Sequence, residues 1–158
     1  MENIKTIQDG QCQCGDTRFS IKDKPIIRLF CHCKICQEFN SAPYGDVAIF
    51  LSKDVVLQEN SKVDYKKYKM PPAVQRGKCS SCHKPAIEYL KLPLMPELTI
   101  IPSANIPTGD FLPDPSMHIF YHRRINDMND ELPKISGFIK SQVKLAGKIL
   151  LATLKSKK

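Results

Sequence analysis

Apolar positions along this chain come in short runs separated by polar and proline-containing stretches. The N-terminal stretch is short and polar and ends at Gly10. From Cys12 to Ile21 the alternation around Phe19 and Ile21 predicts two short strands or one bent strand. Ile26–Phe30 runs apolar into Cys31 and predicts a strand feeding a cysteine-rich loop. Val47–Leu51, Val55–Leu57 and Tyr65–Tyr68 are further strand candidates. Pro71-Pro72 breaks the chain before Val74-Gln75-Arg76. Ala86–Leu92, Leu98–Ile101 and Met117–Tyr121 complete the strand set. Residues 102–117 hold four prolines and Gly109 and predict a loop, as does the acidic Asn126–Glu131. Many short strands with proline-rich turns predict a mainly β fold of antiparallel sheets. The exception is the end of the chain. Ile139, Val143, Ala146, Leu150 and Leu154 recur at helical spacing, with Lys140, Lys144 and Lys148 on a second stripe. Gly137–Leu154 is therefore expected to be a C-terminal amphipathic helix, dividing the chain into a body of residues 1–136 and a basic helix of 137–158.

Charge sharpens that division. The 158 residues carry a formal charge of +8. Residues 134–158 hold seven lysines and no acid, leaving seventeen basic against sixteen acidic residues, a net +1, in 1–133. The basic character belongs to the tail. A nucleic-acid binder wants a basic face on its folded body, so nucleic acid is not an expected partner. No apolar run approaches the ~20 residues that span a bilayer. Three readings of the tail compete. Its apolar stripe can pack on the body, pack on a second copy in a homodimer, or adsorb to an anionic membrane surface. Packing on the body or a dimer mate is the favoured expectation.

The seven cysteines carry the chemistry. They fall as Cys12-x-Cys14, Cys31-x-Cys33-x-x-Cys36 and Cys79-x-x-Cys82. Their number is odd and Met1–Gln11 shows no cationic-apolar-small leader, so a reducing, cytoplasmic setting with thiolates on metal is expected rather than disulfides. A closed structural zinc takes four thiolates; a working zinc takes three protein ligands and keeps one position open. Two pairs supply four ligands and the triplet supplies three, which predicts two Zn²⁺ per chain. Alternate residues of a strand point one way, so Cys12 and Cys14, and Cys31 and Cys33, are each expected to present both sulfurs together. Either pair could instead be buried thiol, and a distant residue could close the triplet into a second structural site. If the triplet stays open, zinc on three thiolates carries net negative charge. It is then a weak Lewis acid, suited to a soft thiolate as fourth ligand rather than to making hydroxide. Cys31, Cys33 and Cys36 are thus the candidate catalytic residues, and a small-molecule thiol the candidate substrate. His118 and His122 have metal-pair spacing, but on the strand expected there they lie ~13 Å apart. His83 follows the second knuckle, where a turn with positive φ is expected.

Gly10-Gln11-Cys12-Gln13-Cys14-Gly15, Cys31-His32-Cys33-x-x-Cys36-Gln37 and Arg76-x-x-Cys79-x-x-Cys82 resemble the glutathione-dependent formaldehyde-activating enzyme family, which includes centromere protein V. Pro115-x-x-His118-Ile119 and Asp130-Glu131-Leu132-Pro133 extend the likeness to about residues 10–135. The resemblance implies a tent-like fold of antiparallel β-sheets organised by zinc. It implies a structural zinc on Cys12, Cys14, Cys79 and Cys82, and a second on Cys31, Cys33 and Cys36. It also implies a carbon–sulfur lyase activity that joins formaldehyde to glutathione. The chain departs from the family pattern at Glu38, Ser41, Lys78 and His83, and has Asn126-Asp127 where a Pro-Trp pair is common. Arg18, Arg28 and Arg76 are candidates for a carboxylate clamp or for structural roles. The alternative function is a non-catalytic zinc-binding interaction module of the same fold.

Overall fold

A computed structural model describes residues 8–68 and 74–156. In chain order the elements are β1 (Gln8–Gln11), β2 (Arg18–Ile21), β3 (Ile27–Cys31), α1 (Lys34–Asn40), β4 (Gly45–Leu51), β5 (Val55–Leu57), β6 (Val63–Lys67), β7 (Val74–Cys79), β8 (Pro85–Leu90), β9 (Leu98–Pro102), β10 (His118–Ile119) and α2 (Phe138–Ser156). Among the described residues the strands form two sheets. The smaller is β1-β2-β5, fully antiparallel. The larger runs β10-β3-β4-β9-β8-β7-β6, antiparallel except for the short β10–β3 pairing. The protein is mainly β, with two sheets and a C-terminal helix.

Strand β4 explains why its sequence is apolar at successive positions. It lies inside the large sheet, and Val47, Ala48, Ile49 and Phe50 are all buried. Side chains alternate between faces at period two. Ala48 and Phe50 enter one core cluster with Phe19, Ile21, Ile87 and Ile101. Val47 and Ile49 enter a second with Leu29, Leu98, Met117 and Ile119. The first cluster contains Cys12 and Cys79; the second contains Cys31 and Cys36. Each group of cysteines therefore sits at the edge of one core.

Several expectations are corrected. Cys12 and Cys14 lie in the turn between β1 and β2, not on a strand, because Gly15 at φ +86° turns the chain there. Cys31 ends β3, but Cys33 has left the strand and caps α1. The strand expected over Met117–Tyr121 is only His118–Ile119, since Phe120 turns left-handed at φ 52° and Tyr121–Arg123 form a single 3₁₀ turn. The two histidines part there. His118 is buried, while His122 is exposed and accepts the Gly137 amide on Nδ1 at 2.8 Å. Strand β1, helix α1 and strand β7 were not expected. The break at Pro71-Pro72 lies outside the described residues.

The C-terminal helix forms as the periodicity predicts, but with a different face inward. Ile149 is 2% exposed and Leu145 packs against the same cluster, while Ser141 is fully buried and its Oγ accepts the Phe120 amide at 2.9 Å. The stripe expected to pack points outward instead: Ile139, Val143, Leu150 and Leu154 are 73, 66, 50 and 63% exposed.

Candidate metal centres

Two turns build the first centre. In the β1–β2 turn, Gly15 donates its amide to Cys12 O at 3.0 Å, and the Thr17 amide donates to Cys12 Sγ at 3.3 Å. In the β7–β8 turn, His83 sits at φ 58° and donates its amide to Cys79 O at 2.8 Å, the positive-φ role expected of it. The sulfurs of Cys12, Cys14, Cys79 and Cys82 come within 4.8 Å of one another. Cys12 and Cys14 are 3.5 Å apart, Cys14 and Cys79 3.7 Å. A disulfide needs about 2.05 Å, and all seven cysteines are free. A tetrahedron of thiolates about 2.3 Å from a metal has edges of about 3.8 Å. The spacing fits a metal ion.

The second centre is local. Cys31 closes β3, paired with Gly45 of β4. Cys33 caps α1, its sulfur accepting the Cys36 amide at 3.3 Å, and Cys36 sits in the first turn. Asn40 Nδ2 donates to Cys36 O at 2.8 Å, and Gln37 Nε2 ties His32 O to Arg123 O at 2.7 and 2.9 Å. These three sulfurs also lie within 4.8 Å of one another. Among the described residues no fourth His, Cys, Asp or Glu ligand atom joins them. Crowding splits their acidities. Hydrogen bonds from Cys31 and Cys36 hold Cys33 down at about 3. Cys33 and Cys36, with burial, push Cys31 well up. Donation from Cys31 acts to lower Cys36, but Cys33 and burial outweigh it and push Cys36 up to about 12. Three thiolates this close need a cation to ionise together, so the donor set also fits a soft metal.

A family model described as glutathione-dependent formaldehyde-activating enzyme matches residues 7–123. The chain belongs to the glutathione-dependent formaldehyde-activating enzyme family. No curated protein matches it significantly. The family match spans all seven cysteines, His32 and His118, and ends before Asp130 and α2.

Around the cysteine triplet the structure adds groups that spacing could not show. Arg76, 8% exposed, donates from Nη1 to Glu88 Oε2 at 2.7 Å and lies 3.7 Å from Cys36 Sγ. It sets a fixed positive charge beside the three sulfurs. Burial pushes Glu88 up to about 7 against the pull of Arg76, and Cys33 adds to the rise. The other two arginines raised as clamp candidates are engaged: Arg28 pairs with Asp46 at 2.8 Å and Arg18 Nε donates to Gly15 O at 2.8 Å.

His32, between two triplet cysteines, reaches the other way into a buried chain. Its Nε2 is 2.8 Å from His118 Nδ1, and His118 Nε2 is 2.9 Å from Asp130. Lys134 Nζ is 2.9 Å from Asp130. Hydrogen bonds from Lys134 and His118 hold Asp130 down at about 2. A carboxylate only accepts, so His118 Nε2 donates to it. Burial, and then the proximity of His118, lower His32 to about 4, so it is neutral. Its Nδ1 is buried without a hydrogen-bond partner among the described residues. No sequence signal pairs His32 with His118, 86 positions apart. A cavity of about 860 Å³ is lined by Asp9, Cys12, Arg18, Asn40, Lys84 and Asn105 among others, and includes no triplet cysteine. Asn40, in its lining, is the residue that donates to Cys36 O.

Proposed function

We propose that this protein is a zinc-dependent carbon–sulfur lyase of the cytoplasm that acts on a thiol adduct of the glutathione–formaldehyde type. Cys12, Cys14, Cys79 and Cys82 would hold a structural Zn²⁺ that organises a tent-like pair of sheets, and Cys31, Cys33 and Cys36 a second, catalytic-type Zn²⁺. The observation that carries the reading is the three-sulfur cluster with no fourth side-chain ligand among the described residues, inside the family match. Zinc on three thiolates supplies one vacant position and lowers the pKa of a thiol that fills it. The chain's own residues do the rest. The β3 end and the α1 cap fix the three sulfurs in one small volume. Arg76 offsets their charge, and the chain from His32 through His118 to Asp130 fixes both rings beneath the loop.

The test is a thiol panel with formaldehyde on zinc-loaded protein, followed by formation of the S-hydroxymethyl adduct by NMR. Thiol binding and adduct formation are expected. Cys33→Ser should lower turnover on the order of a hundredfold or more while leaving the fold intact. A panel in which no thiol binds or perturbs the second metal sinks the proposal. The second reading is a non-catalytic zinc module. It is favoured by the burial of Cys31 and Cys36, each 6% exposed, and by a cavity that omits the triplet.

A further inference from the structure

The outward face of α2 is the unexplained feature. At 100° per residue its positions fall into three arcs of about 80° each. Ser141, Leu145 and Ile149 form the arc against the body. Ile139, Val143, Ala146, Leu150 and Leu154 form the second, all exposed. Lys140, Lys144, Lys148 and Lys155 form the third, directly beside the second and also exposed. No acid occurs from residue 132 to the end of the chain.

We propose that this face of α2 is a docking surface for an anionic lipid bilayer, on which the helix lies flat. Three observations choose that occupant. The apolar stripe that would have packed inward is free because a different arc holds the helix to the body. The charge on the helix itself is of one sign: Lys140, Lys144, Lys148 and Lys155 flank the stripe and α2 carries no acid, which complements an anionic surface. A second copy brings the same four helix lysines and no helix acid to the contact, so this charge opposes a dimer through the stripe. Among the described residues no helix is long and apolar enough to cross a membrane, so the helix lies on the surface and does not span it. The inference is independent of the chemistry at the cysteines.

The test is co-sedimentation of the full zinc-loaded chain with phosphatidylcholine vesicles, with and without phosphatidylserine. Phosphatidylserine should raise the bound fraction on the order of tenfold, and high salt should reverse the gain. Val143→Gln with Leu150→Gln, and separately Lys144→Glu with Lys148→Glu, should each abolish most of the binding. All four side chains are exposed, so melting temperature and metal content should not change. No adsorption to the phosphatidylserine vesicles overturns the proposal, as does adsorption that both double variants retain. It is also overturned if vesicles are ignored while the apolar pair dissolves a dimer in sedimentation, or while the chain is held by an acidic polypeptide.

Discussion

Arg76 and Glu88 show what a single buried pair does for the triplet. A clamp for a substrate carboxylate has to be free, but Arg76 is committed on both sides, to Glu88 and toward Cys36 Sγ. Glu88 is 1% exposed and its Oε1 has no hydrogen-bond partner among the described residues. Its carboxyl, near 4.5 when unperturbed, stands at about 7 in the fold, chiefly because burial disfavours the charged form. The sign follows. Between those values the folded chain binds the proton that the unfolded chain has lost, so this contribution to stability is full below 4.5 and erodes as pH rises to about 7. The slope is about 1.4 kcal/mol per pH unit. Glu88→Gln keeps an acceptor for Arg76 and cannot titrate. Urea unfolding of zinc-loaded protein from pH 5 to 7 should therefore show wild type losing stability relative to Glu88→Gln. A gap independent of pH refutes the assignment. Above pH 7, where Glu88 is ionised, Glu88→Ala removes the hydrogen-bonded counter-charge of the buried Arg76 and should cost about 3–5 kcal/mol.

At the scale of elements, the sequence was legible where burial is apolar and the element is long enough to show a period. Strands β3, β4, β5, β8 and β9 all carry apolar runs and lie where those runs predicted them. The grouping of cysteines into four and three was legible too, because ligand spacing is a local property. Helix α1 was hidden: seven residues are too few for periodicity, and its cap is Cys33, not one of the usual capping residues. In α2 two apolar arcs compete, and periodicity alone does not say which one the body takes. The His32–His118–Asp130 chain was invisible because it joins distant segments. Strand β7 reads Val-Gln-Arg-Gly-Lys-Cys, and what it buries is mostly Arg76, Gly77 and Cys79. Gly77 is there for space. A Cβ would meet Val63 Cγ1 at 2.5 Å and the Ile87 carbonyl oxygen at 2.8 Å. The carbonyl belongs to the paired strand and cannot swing aside. Gly77→Ala should destabilise by about 2 kcal/mol, within the range for overpacked cores. Thermal unfolding at constant zinc checks it, and an unchanged midpoint would show that β7 and β8 separate more easily than this packing implies.

Across the whole molecule, the two cysteine groups do different mechanical work. The four-cysteine group takes Cys12 and Cys14 from the small sheet's β1–β2 turn, and Cys79 and Cys82 from the end of β7 and the turn that follows it in the large one. Cys14 and Cys79 are 65 positions apart, so a metal held there would close a long loop and fasten one sheet to the other beside the Phe19–Phe50 core. The triplet lies within one β3–α1 segment and closes almost no loop. The entropy removed from the unfolded chain grows with the length of the loop closed. A metal on the four-cysteine group therefore belongs to the folding free energy, and one on the triplet far less so. Cys79→Ser should unfold the body, while Cys33→Ser should leave it folded. A chelator time course on the wild-type protein, with circular dichroism and metal content read together, should separate the two. Fast loss of one metal is expected without a change in secondary structure, followed by slow loss of the other in step with unfolding. Loss of both at one rate, or unfolding with the first, would mean that the triplet also holds the sheets together and that its site is structural.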